Sequence, residues 1–310
     1  MRLRKVKFQL TLFWTKVSQV MWFNCSAVWN NTEDALRLFQ RVAYTPVFAV
    51  GLPLNVLALW LFFRIHQWTA THVYMFNLLL ADFLLLLFLP FRIFQTFCPI
   101  NPTGLCTFLI CVHFSNMYVS IFTITAISVH RFVALRFPML IRGLETQRKT
   151  MAVVVCAVIW LTIMLLCGIF HPNMYPRELR TCYELKGRTK LSFLLVLEIV
   201  GYLLPTATIA TCSTQAIYAV LKSTEELESK VVVERKRAVA IIVANTVIFF
   251  VCFTPVHVGF LLRYLYPEGS SQARVIHIFY EVSEWIATTN CCLDAIGYYL
   301  LLKKVFKANR

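Results

Sequence analysis

"YMFNLLLADFLLLLFLPFRIF" occupies residues 74–94. Asp82 is its one carboxylate and Arg92 its one base, and nearly everything else is apolar. A helix needs about 20 apolar residues to cross the hydrocarbon of a bilayer. The stretch therefore reads as a membrane span with an acid buried in it. A charge in that setting is costly and marks function. The fold depends on how often such a stretch recurs.

Seven spans are predicted, at 42–64, 72–94, 104–135, 149–170, 191–221, 237–265 and 274–300. Turn and charge signals close them, for example "RIHQWTATH" (64–72), "CPINPTG" (98–104) and "YPEGSSQ" (266–272). The 310 residues are 59% hydrophobic and 15% charged, with a mean hydropathy of +0.67. A soluble domain carries more charge than that. The expected fold class is all-α: a seven-transmembrane helix bundle with a short cytoplasmic amphipathic eighth helix in "LLKKVFKANR" (301–310). Residues 1–41 form an extracellular N-terminal segment, 42–300 the bundle, and 301–310 the amphipathic helix and C-terminus. Residues 1–20 read as an extension before an alternative start at Met21. "FQLTLFW" (8–14) is short for a signal-peptide core, and no clear small-residue cleavage site follows.

A net charge of +15 could point to nucleic acid. That partner is excluded, because the bases lie in short segments between apolar runs, where membrane topology accounts for them. There is no glycine-rich phosphate loop and no zinc-spaced Cys/His set. Most of the eleven cysteines lie inside apolar runs, where a thiol behaves as a small hydrophobe. The sequons at Asn24 and Asn30 predict an extracellular, glycosylated N-terminus. Seven crossings then place Arg136, Arg148, Lys222, Arg235 and Lys303 in the cytoplasm, in line with the positive-inside bias. The bases in residues 1–20 run against it. No period of 20–50 residues repeats, which argues against a transporter.

Several polar side chains fall within the spans. Asn55 lies in the first, Asp82 in the second, Asn116 and Ser120 in the third, and Asn290 and Asp294 in the seventh. The last four form two i, i+4 pairs, each on one helix face. Carboxylate, amide and hydroxyl oxygens suit a hard cation, so a sodium ion at Asp82 is one reading. Hydrogen-bond glue between helices is the other, and both stay open. Pro53, Pro90, Pro205 and Pro255 each remove a backbone hydrogen bond from a span or its end. Together they point to a bundle with an open outer cavity and parts that swing.

These residues carry a family resemblance. "GLPLNVLAL" (51–59) and "NLLLADFLLL" (77–86) are similar to the first- and second-helix motifs of rhodopsin-like G-protein-coupled receptors. "SVHRFVALRFP" (128–138) resembles their Asp-Arg-Tyr motif, "CFTPVH" (252–257) their Cys-Trp-x-Pro motif, and "NCCLDAIGYY" (290–299) their Asn-Pro-x-x-Tyr motif. Trp160 and Pro205 match the fourth-helix tryptophan and fifth-helix proline. The strings "IRGLETQRK" (141–149), "ANTVIFFVCFTPVHVGFLLR" (244–263) and "NCCLDAIGYY" resemble the receptor-thirty-five type, with the receptor-fifty-five and lysophosphatidic-acid types next. The resemblance implies no enzyme activity. It implies a receptor in the plasma membrane, a disulfide between Cys106 and Cys182, a heterotrimeric G-protein partner of the inhibitory or G12/13 type, and membrane lipids around the bundle. No cofactor is implied beyond an allosteric sodium ion.

The resemblance also assigns roles and reveals departures. Arg131 is the switch contact at the cytoplasmic end of the third helix, and Tyr298 belongs to the coupling region. The acid that usually precedes the arginine is replaced by His130, and Arg235 stands where an acid at the base of the sixth helix is common. Ser213 replaces a supporting tyrosine, Phe253 a tryptophan and Ala295 a proline. An imidazole cannot make the missing ion pair, so a weakened resting clasp and raised basal signalling are expected. The outer side is basic, and arginine forks suit carboxylate and phosphate. Arg92, His113, Met117, His257, Phe260, Arg263 and Glu284 are the candidate ligand contacts. The expected ligand is an extracellular anionic small molecule or lysophospholipid. Met117 and Phe170 stand where the receptor-thirty-five type carries arginines. A second disulfide, between Cys25 and Cys98, would suit an oxidising compartment. The alternatives are a non-signalling scavenger receptor and a membrane transporter.

Overall fold

The computed structural model describes residues 31–100, 102–137, 144–174, 179–185, 190–222, 229–266 and 269–308. Within these it leaves out the side chains of 31–34, 170–174, 179–181, 184–185, 221–222, 229–238, 241 and 298–308. The chain forms α1 (Asn31–Phe62), α2 (Ala70–Gln95), α3 (Gly104–Arg136) and α4 (Glu145–Met174). A short hairpin follows, β1 (Leu179–Thr181) and β2 (Glu184–Leu185). Helix α5 begins as Leu191–Leu195, passes through a π-helical stretch Val196–Leu203, and continues as Leu204–Lys222. Then come α6 (Ser229–Leu265) and α7 (Ala273–Ala308). This is the expected seven-helix bundle, and all seven helices overlap the predicted spans.

Two boundaries differ from expectation. Helix α1 starts at Asn31, ahead of residue 42. Helix α7 runs without a break to Ala308, so the residues expected as a separate eighth helix are helical but continuous with the seventh. Beyond Gly297 that segment holds neither glycine nor proline to end the helix.

Among the described residues, α1 to α6 are long and apolar enough to cross a membrane. Helix α7 contains Glu281, Glu284 and Asp294, which lower its hydropathy. The fold compensates by burying Glu281 and Glu284 against neighbouring helices. Outward faces are apolar: Met151, Leu161 and Leu165 on α4 and Leu203 and Leu204 on α5 are exposed. Apolar surface on this scale is stable only against lipid or another apolar partner.

Helix α3 runs through the centre, with Ser115, Asn116, Ser120 and Thr123 all buried. Side-chain amides tie it to its neighbours. Asn77 donates to Thr123 Oγ1 at 2.8 Å, and Trp160 Nε1 donates to Asn77 Oδ1 at 2.8 Å, joining α2, α3 and α4. On the other side, Asn55 donates to the Cys291 carbonyl at 3.1 Å and Trp285 to the Ala43 carbonyl at 3.0 Å, joining α1 to α7. Helix α2 starts on Thr69, whose hydroxyl accepts from the His72 amide while its own amide donates to the His72 ring. The π-helical stretch has a local cause. The Pro205 ring would clash with the carbonyl four residues earlier, that of Gly201, and the wider turn moves that carbonyl away. Gly201 also lets α3 approach closely, because an added Cβ would lie 2.5 Å from Tyr118 Cε1.

One end of the bundle carries the hairpin. The Cys106–Cys182 disulfide anchors it to the start of α3, and the Cys182 amide donates to the Ile100 carbonyl at 3.0 Å. Tyr183 completes the turn with a φ of 72°, a left-handed conformation uncommon for a side chain this large. Cys98 is disulfide-bonded as well. Cys25, the partner expected for it, and the sequons at Asn24 and Asn30 lie outside the described residues.

Candidate functional site

At the disulfide end the helices build a buried charge cluster. Arg92 on α2 reaches Glu281 at 3.2 Å and also bonds Glu284, both on α7. Gln40 on α1 donates to Glu281 at 2.6 Å, and the Tyr280 hydroxyl donates to Glu284. The Arg92 guanidinium lies 5.1 Å from the Tyr44 ring and 4.6 Å from the Tyr183 ring. The left-handed turn thus places Tyr183 over the cluster, and burial pushes its phenol pKa upward. Arg92 retains Nε and Nη1 without a partner. His113, one helix over, is buried within electrostatic range of Arg92 and Glu284.

An aromatic floor lies beside this cluster. Arg263 on α6 is half-buried, 4.6 Å above the Tyr280 ring. Phe260 stacks on Phe114 at 6.1 Å and tilts against Tyr280 at 5.5 Å. His257 is buried deeper. Its Nδ1 contacts the Phe253 carbonyl at 2.8 Å, and since a carbonyl only accepts, Nδ1 carries the proton. Nε2 is then free to accept from the Tyr118 hydroxyl at 3.4 Å, while Tyr202 stacks on the ring at 4.4 Å. Met117 is buried in the core cluster next to Tyr118. The structure therefore gathers Arg92, His113, Glu284, Arg263, Phe260 and His257 toward one end of the bundle. Tyr118, Tyr183 and Tyr280 join them unforeseen. Composition hides them among twelve tyrosines, and only Tyr280 carries a spacing signal, four residues before Glu284.

The mid-bundle polar residues also converge. Asn116 Nδ2 donates to Asp82 Oδ1 at 2.9 Å, and Asn290 Nδ2 donates to Asp294 Oδ2 at 2.9 Å. Asp82 Oδ2, Ser120 Oγ, Asn290 Oδ1 and Asn55 Oδ1 are buried without hydrogen-bond partners. Buried acceptors rarely go unpaired. This surplus of oxygen donors fits a hard cation, which coordinates through carboxylate, amide and hydroxyl oxygens. Asn55 also serves as glue, through Gly51 and Cys291.

Toward the opposite end, Arg131 lines a cavity of about 50 Å³ with Asn245 and Ile248 of α6 and Asp294 and Gly297 of α7. Among the described residues no carboxylate is placed within ion-pair distance of Arg131, and its Nε lacks a partner. His130, its chain neighbour, takes a hydrogen bond from Arg148 of α4 at 2.9 Å. Ser213 and Thr246 link α5 to α6 at 3.0 Å. The side chains of Arg235 and Tyr298 lie outside the described residues.

A buried polar column thus runs inside the seven helices, with the Arg92 charge cluster at one end and the Arg131 cavity at the other. Among known families, the 7 transmembrane receptor (rhodopsin family) model matches residues 54–298, and the chain belongs to that family. It is therefore a multi-pass plasma-membrane protein that links a ligand to a heterotrimeric G protein. It is 33% identical over 301 residues to G-protein coupled receptor 55 of Mus musculus, covering 91% of this chain and 90% of that one. Against G-protein coupled receptor 35 of Homo sapiens the identity is 34% over 276 residues, with 86% and 85% covered. Lysophosphatidic acid receptor 6 of Gallus gallus is 32% identical over 296 residues, with 89% and 92% covered.

Proposed function

We propose that the receptor responds to an extracellular anionic, partly apolar molecule, a small acid or a lysophospholipid, and signals through an inhibitory or G12/13-type G protein. The N-terminus is then extracellular and the Arg131 end faces the cytoplasm. One observation carries this reading: Arg263 is a half-buried cation on an aromatic floor with no carboxylate at ion-pair distance among the described residues. A guanidinium held this way offers its fork to an anion, and Phe114 and Phe260 offer apolar contact beside it. Arg92 is committed to Glu281 and Glu284 through Nη2, and its Nε and Nη1 are buried without a hydrogen-bond partner. A relative carries lysophosphatidic acid in its name, and that ligand has the same chemistry.

The Asp82 group is the proposed sodium site, with Asp82, Asn116, Ser120, Asn290 and Asp294 as its oxygen donors and Asn55 alongside. Bound there, the ion supplies a counter-charge to the buried carboxylate. Tyr118 of α3 packs on His257 of α6, and Phe253 and Phe249 continue the packed aromatic run along α6 away from the ligand end. A ligand that binds one arrangement of that run better than another shifts the bundle between two states.

The experiment is a panel of G-protein activation assays with aromatic acids and lysophospholipids. Arg131→Ala should abolish the response, and Arg263→Ala should weaken it while surface expression is retained. A response to anionic ligands that is indifferent to both substitutions would refute the reading.

A further inference from the structure

We propose that His130 is a positioning residue of the coupling switch: its neutral ring fastens the Arg131 end of α3 to Arg148 of α4, and a proton on that ring opens the fastening. The proposal rests on the reading that Arg131 faces the G protein.

The bond runs from Arg148 Nη2 to His130 Nε2 at 2.9 Å. A guanidinium only donates, so Nε2 must present its lone pair. The ring is therefore neutral and carries its hydrogen on Nδ1. Once protonated, both ring nitrogens donate and the bond is lost. Among the described residues, four charged or titratable groups surround the ring. Arg148 and Glu145 face it from α4, Arg131 adjoins it on α3, and the Tyr74 ring meets it edge-on from α2 at 5.9 Å. Glu145 is already within 3.4 Å of Arg148. An imidazolium would thus join two arginines with one carboxylate between them, and like charges at this range repel.

Among the described residues, this fastening is the one side-chain hydrogen bond from the last two turns of α3 to another helix. Arg148 lies in the first turn of α4, so the bond sets how α4 enters the bundle beside Arg131. The ring is half-buried, which leaves it open to protons. Histidine is the side chain that changes charge near physiological pH.

The test uses the full-length receptor in lipid nanodiscs, histidine-labelled with ¹⁵N, with purified G protein and no ligand. At neutral pH the His130 signal should show the Nδ1–H tautomer, and Arg148→Ala should remove that preference. Basal nucleotide exchange should rise about tenfold as pH falls from about 7.5 to about 6, the scale of losing one hydrogen bond to a charged group. His130→Gln keeps an acceptor that does not titrate and should remove the slope. Arg148→Ala should give raised exchange at every pH, and Arg148→Lys should restore part of the slope. An Nε2–H tautomer, or a slope that survives His130→Gln, overturns the proposal. The expected tautomer in a receptor that activates no G protein at any pH refutes instead the coupling reading beneath it.

Discussion

Arg92 and Glu281 meet at 3.2 Å, both side chains almost wholly buried. Arg92 also holds Glu284, so one guanidinium serves two carboxylates. The contact ties α2 to α7, and Gln40 brings in α1. A base at the top of the second helix thus acts first as an internal counter-ion, and the more available cation of this end is Arg263.

Breaking that cluster from the basic side should be expensive. Arg92→Ala leaves two carboxylates buried without their cation, at a cost of about 3–5 kcal/mol. Thermal unfolding in detergent micelles should show a large fall in midpoint. Adding Glu281→Gln and Glu284→Gln should recover much of it, because the unpaired charges are gone. Equal midpoints for the single and triple variants would show that the cluster is not held by charge.

Gly201→Ala should disturb the receptor through packing alone. The new methyl would lie 2.5 Å from Tyr118 Cε1, and overpacking of this kind costs about 1–3 kcal/mol. Tyr118→Ala, combined with it, should absorb the clash and cost less than the sum of the two single changes. Additive losses in unfolding midpoint would disprove the contact.

The Asp82 group should respond to sodium. A site filled at about 100 times its dissociation constant stabilises by about 2.7 kcal/mol. The unfolding midpoint of the purified receptor should therefore rise with sodium chloride and not with choline chloride. Asp82→Asn keeps an amide in place of the acid and should flatten that response. A midpoint equally sensitive in the variant would leave interhelical glue as the whole role of the group.

Arg263 should read the anion. Arg263→Ala should raise the half-maximal concentration of an active lysophospholipid or aromatic acid roughly 10- to 100-fold, the range for a hydrogen bond to a charged group. Arg263→Lys should fall between, since it keeps the charge and loses the fork. Potency that is the same for all three receptors would exclude Arg263 from the ligand contact.

Most of the architecture could be read in the sequence. Apolar length marks a span whatever lies beside it, so all seven helices were foreseen. The mid-span polar residues stood out because a bilayer penalises them. Less visible were features that depend on two distant segments. Helical spacing does not reveal that the hairpin turn would lay Tyr183 over Arg92, or that Gly201 would admit Tyr118. His130 looked like a lost ion pair from its neighbour Arg131 alone, whereas its hydrogen-bond partner, Arg148, is on the next helix.

Chain chemistry alone therefore dictated that the protein crosses a membrane as a bundle with a polar interior, because lipid tolerates little else. Pairing was settled by folding: which carboxylates claim Arg92, which arginine stays available, and what His130 holds. Hydrogen bonds and ion pairs act over a few ångströms, and those distances exist only once the helices have packed.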